Sequence, residues 1–157
     1  HFLQWLISLP VLIPRRIDAL PGILTSPFMH ANPAHLAANA VPFLVLSYLT
    51  LGVVGRRYLS VLACIALVGG ALLWLVGRNG AHLGASLLIY GLFTFLVANA
   101  WYRRSAMNLL VAVVVILLYS GLVWGILPLQ DGVSFEGHLC GGCAGWLYAR
   151  AGRGRGA

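Results

Sequence analysis

At 157 residues, with 61% hydrophobic and 8% charged residues, the chain carries more apolar surface than one water-soluble core of that size can bury, which leaves the bilayer as its solvent. Its net charge of +7 comes from ten arginines and no lysines, placed mostly in pairs at the edges of apolar runs. That is a topology signal, and no nucleic-acid partner is expected from it.

Residues 1–14 come first. The apolar run 2–13 is too short to cross about 30 Å of hydrocarbon, so it reads as the end of a truncated first helix with further residues expected upstream. Four runs then read as helical spans: 34–53, 58–76, 85–102 and 107–127, each with the roughly twenty apolar residues a crossing needs and with turn or charge punctuation after it. A fifth, 137–149, is short and glycine-rich and needs shielding by neighbours. The expected fold is therefore an all-α polytopic membrane bundle of six helices, a single domain over 1–150 followed by a disordered basic tail, 151–157. Cys64, Cys140 and Cys143 lie in apolar or glycine-rich segments and do not form a secreted disulfide framework.

Threading the spans alternately puts Arg56, Arg57, Arg103, Arg104, Arg150, Arg153 and Arg155 on one side, and Arg15, Arg16 and Arg78 on the other. The first side is expected to be cytoplasmic. His30, His35, Asn39, Ser86 and His138 then gather at or near the outer ends of different helices. Polar groups at membrane depth are costly, so their convergence points to a site.

Ser86 opens a helix, where free backbone N–H groups and the positive end of the helix dipole favour negative charge. Such a serine attacks a carbonyl if a base takes its proton; taken alone, it reads first as an N-cap. His138 is the candidate base, and Gly137, Gly141, Gly145 and Ala149 around it form a flat stripe that admits another helix closely. Tyr90, four residues after Ser86, lies on the same face and can stack on the His138 ring. Glu136, two residues from His138, faces elsewhere, which makes a Ser-His dyad the expectation. His35 and Asn39 share a helix face and suit oxyanion donation together with the Ser86 N–H, while His30 lies in the preceding loop. His138 with Cys140 and Cys143 has metal-like spacing, but close helix packing explains small residues in a glycine stripe, and no metal or cofactor is expected.

Three ordered stretches, "FMHANPAHLAANAVPFL", "GASLLIYG" and "SFEGHLCGGCAG", resemble the rhomboid intramembrane serine proteases over about residues 20–149. The resemblance implies Ser86 as nucleophile and His138 as general base and then acid. It implies an oxyanion hole of His35, Asn39 and the Ser86 amide, with Gly84, Tyr90, His30, Gly141 and Gly145 in support. Substrates would be transmembrane protein segments cut near the outer membrane boundary, with the loop 15–33 partly in the lipid interface. Arginine used without lysine, with much alanine and glycine, points separately to a GC-rich bacterial genome and a bacterial plasma membrane, with an organelle as the alternative. The pattern departs at Leu87, which stands where the family usually has glycine. A rhomboid-like pseudoprotease that binds membrane-protein clients is the alternative the resemblance leaves open.

Overall fold

A computed structural model of the chain describes residues 9–129 and 132–153. Among the described residues there is no strand, only an isolated bridge between Leu12 and His82. The helices are α1 (Gly22–Thr25), α2 (Pro33–Val54), α3 (Tyr58–Cys64), α4 (Gly70–Val76), α5 (Ser86–Arg103), α6 (Ala106–Tyr119) and α7 (Phe135–Ala151). A π-helical turn, Ile65–Gly69, joins α3 to α4, so residues 58–76 form one rod. Five long rods thus stand where five spans were expected.

The first expected helix is corrected over its described part. Residues 9–15 contain no helix, because Pro10 and Pro14 each remove an N–H donor and push the preceding residue toward extended backbone. Residues 1–8 of that expected helix, and 154–157 of the expected tail, lie outside the described residues. The segment is tied down instead: Leu12 N donates to Ser26 Oγ at 2.7 Å, and His82 N donates to Leu12 O at 2.8 Å. Arg15, with φ of +61°, has its backbone N bonded to Trp74 O, and its guanidinium donates to Gly77 O at 2.7 Å and Asn79 Oδ1 at 2.5 Å. It satisfies carbonyls left open at the end of α4, a use beyond topology.

The span expected over 107–127 is also revised. The α-helix ends at Tyr119, and Ser120–Ile126 is a 3-10 segment containing Gly121 and Gly125, two poor helix formers. α2 begins as its sequence dictates: Asn32 caps it through Oδ1, which accepts from His35 N at 2.8 Å, and Pro33 occupies the first turn without needing a donor.

The stretches Pro33–Val76 and Ala106–Ile126 are each long and apolar enough to cross a membrane. The first is two rods, since Gly55 breaks it with φ of +56°. Their outward faces stay apolar: Leu44, Tyr48, Leu117 and Leu118 are all exposed, a pattern suited to lipid. α5 is the opposite case, with Leu88, Leu92, Phe95 and Leu96 all buried at the centre of the bundle.

α5 and α7 form the most extensive helix pair. Glycines make that approach possible. A Cβ on Gly141 would strike the Leu87 carbonyl, and one on Gly145 would strike the Gly91 carbonyl, so backbone meets backbone along the seam. Thr94 Oγ donates across it to Gly142 O at 2.7 Å. Gly137, also in the expected stripe, faces Leu73 of α4 and its own capping Ser134 instead.

Candidate active site

Ser86 is the first residue of α5. Ala85 holds the N-cap position and no side-chain capping bond is made, so the Ser86 hydroxyl is not consumed by the helix end. Both Ser86 and His138 line one cavity of about 580 Å³, together with His35, Asn39 and Tyr90. The seam between α5 and α7 carries the first two residues to the same end of the bundle. Among the described residues no hydrogen bond joins Ser86 to His138.

The His138 ring is 7% exposed and held on two sides. Tyr90 stacks on it with centroids 4.0 Å apart and planes 6° from parallel. Its Nδ1 lies 2.6 Å from the Gly125 carbonyl oxygen. A carbonyl only accepts, so Nδ1 carries the proton, and in the neutral ring Nε2 is left as the basic nitrogen. Tyr90 is fixed in turn, its hydroxyl donating to Leu122 O at 2.8 Å. The 3-10 segment therefore supplies two carbonyls to the pair, and Gly125 is required there because a Cβ would collide with the Tyr90 hydroxyl and approach His138 Nδ1 to 3.2 Å.

Opposite lies Gly84, with φ of +107°. A Cβ at this position would come within 2.9 Å of the His35 ring and 3.2 Å of Asn39 Nδ2, so glycine serves both the backbone conformation and the close approach of α2. Asn39 is 8% exposed and its Nδ2 has no partner among the described residues. An orphaned buried donor on a cavity wall is costly unless something in the cavity accepts from it. His30 packs edge-on behind His35 with centroids 5.1 Å apart and does not line the cavity. Burial, and secondarily the neighbouring His35, push its pKa below the ordinary histidine value against a smaller opposing effect of the Phe28 backbone.

Glu136 turns away from His138 to meet Arg78, with Oε1 2.9 Å from Nε. Leu87 does not line the cavity. Its side chain seats against Gly69, whose missing Cβ makes the room, so the bulk that replaces the family's glycine is absorbed away from the Ser86 cavity. Cys140 is buried and Cys143 exposed, and no group of three metal-binding side chains gathers among the described residues.

The sequence reading gave no role to His82 and Ser134. His82 Nε2 donates to Arg78 O at 3.0 Å, because a carbonyl can only accept; Nδ1 then accepts from Ser134 Oγ at 2.6 Å. Ser134 in turn caps α7, accepting from Gly137 N at 3.1 Å. This relay ties the loop before Ser86 to the start of the helix bearing His138. A Ser three residues before a glycine at a helix start, and a histidine four before the serine, were the signals available.

With the geometry in hand, the Rhomboid domain family matches residues 18–155. An uncharacterised protein of Mycobacterium tuberculosis is 36% identical over 145 residues, covering 87% of this chain and 60% of its own length. One of Mycobacterium leprae is 35% identical over 143 residues, covering 85% and 57%. A protein of Acanthamoeba polyphaga mimivirus, provisionally named a rhomboid protein, is 30% identical over 129 residues, covering 77% and 68%. The chain thus spans about 60% of the length of the first mycobacterial relative. No solved structure matches it.

Proposed function

The chain belongs to the rhomboid family, and on that premise we propose that it is an intramembrane serine endopeptidase that hydrolyses peptide bonds in or near transmembrane segments of membrane proteins. Ser86 Oγ attacks the scissile carbonyl carbon as His138 Nε2 removes its proton, forming an acyl-enzyme after the same nitrogen returns that proton to the leaving amine. Water then attacks the ester, with His138 again as base, and releases the acid. Asn39 Nδ2, His35 and the Ser86 N–H donate to the oxyanion as it forms, at the end of α5 where the helix dipole favours negative charge. Tyr90 and the Gly125 carbonyl keep the ring in one orientation and one tautomer. None of these steps calls on a metal or cofactor.

The observation that carries this reading is the His138 contact with Gly125, since it leaves the basic nitrogen free on a cavity shared with Ser86. The arginine asymmetry supports an orientation with the cavity facing outward, and arginine used without lysine supports a bacterial plasma membrane as its place. The test is cleavage of a single-span model substrate with small residues near its outer boundary, in proteoliposomes. Cleavage by the wild type, abolished in Ser86→Ala and His138→Ala variants that melt normally, is the expected result. Equal cleavage by all three refutes the dyad, and retention of the substrate without cleavage by any of them selects a client-binding role instead.

A further inference from the structure

α5 is about 27 Å long at 1.5 Å per residue, so its far end lies well away from Ser86. Two adjoining cavities open there, of about 410 and 640 Å³, and share Arg57, Asn99 and Arg103 in their walls. Arg153 lines the larger one. Asn99 is 3% exposed, and its Nδ2 has no hydrogen-bond partner among the described residues. Arg103 is held over the opening by donation from Nη2 to Gly152 O at 3.2 Å. The larger cavity also takes in Ser105, Met107 and Asn108 at the N-terminus of α6, the positive end of that helix dipole.

The formal charge at this end is one-sided. Guanidinium groups and the Asn99 amide nitrogen only donate. The sequence holds three acids, Asp18, Asp131 and Glu136, none in the segments that build this end. The ion pairs among the described residues, Arg16 with Asp18 and Arg78 with Glu136, both lie elsewhere. A buried orphan donor beside guanidinium groups that have no acidic partner among the described residues, and beside a helix N-terminus, calls for an anion with several oxygen acceptors. Met107 and Leu110, 62% and 59% exposed, continue from the cavity mouth along α6 as an apolar track.

We propose that these cavities form a binding site for a phosphate-bearing anion, with the phosphate on Arg57, Arg103 and Asn99, supplied by the headgroup of an anionic phospholipid whose acyl chain follows the track on α6. Free inorganic phosphate shares the headgroup chemistry but has no use for the track.

Native mass spectrometry of the full chain in a neutral detergent tests this, with dioleoyl phosphatidylglycerol or dioleoyl phosphatidylcholine added at equal concentration. The wild type should retain phosphatidylglycerol in preference to phosphatidylcholine. Arg57→Gln, at an exposed position that folding tolerates, and Asn99→Leu should each reduce retention about ten-fold, with Arg16→Gln unchanged as the control. Millimolar inorganic phosphate that displaces the lipid supports the site with phosphate as a sufficient ligand. Failure to displace it supports the lipid as the ligand. Absence of preference between the two lipids, or equal retention in the wild type, Arg57→Gln and Asn99→Leu, overturns the proposal.

Discussion

The α5–α7 seam and the outer face of α6 both present small or apolar residues to their surroundings, yet they do different work. Along the seam, Gly141 and Gly145 bring backbone against backbone and Thr94 ties the two helices together. On α6, Val113, Leu117 and Leu118 face outward and touch little. Hydrophobicity alone cannot place the seam, because lipid tails and a helix neighbour are equally apolar surroundings. Residue size can: the helices that carry Ser86 and His138 are pressed together by what their glycines lack.

The sharpest way to break this contrast is Gly145→Val. The added carbons meet the Gly91 carbonyl, a backbone atom with nowhere to go, so the loss of stability should reach or exceed the upper part of the roughly 1–3 kcal/mol range for overpacking. Leu117→Ala on α6, at a position 75% exposed, should change stability by no more than about 0.5 kcal/mol. Thermal unfolding in one detergent measures both, and similar losses would erase the distinction.

Within the site, Asn39→Ala should lower kcat about 10²-fold with little change in melting temperature, as expected of a donor engaged chiefly in the transition state. A smaller effect is expected from His82→Ala, which strands the Ser134 hydroxyl and the Arg78 carbonyl. About 1–3 kcal/mol of stability should be lost, read by the same unfolding assay. An unchanged melting temperature would mean that the relay between the Ser86 loop and α7 is dispensable.

The sequence made the rods legible because span length and punctuation are local properties, and 34–53 and 85–102 fall within a residue or so of α2 and α5. The small-residue stripe around His138 was legible as a pattern, though not that Gly137 departs from the seam. What could not be read was set by backbone carbonyls. Leu122 and Gly125 hold Tyr90 and His138 through oxygens every residue possesses, and only the switch from α to 3-10 geometry aims them. The same holds for 9–15, where two prolines outweigh an apolar run, and for Arg15, whose charge suggested topology while its guanidinium closes the end of α4. Leu87 was conspicuous in sequence, but its place depends on Gly69, eighteen positions earlier.

The central claim is that His138 Nε2 activates the Ser86 hydroxyl. Intact-mass measurement after exposure to a mechanism-based serine-hydrolase probe tests it most directly, with the adduct mapped by peptide sequencing. The account predicts one adduct, on Ser86, absent in Ser86→Ala and strongly reduced in His138→Ala; equal labelling of all three proteins would contradict it.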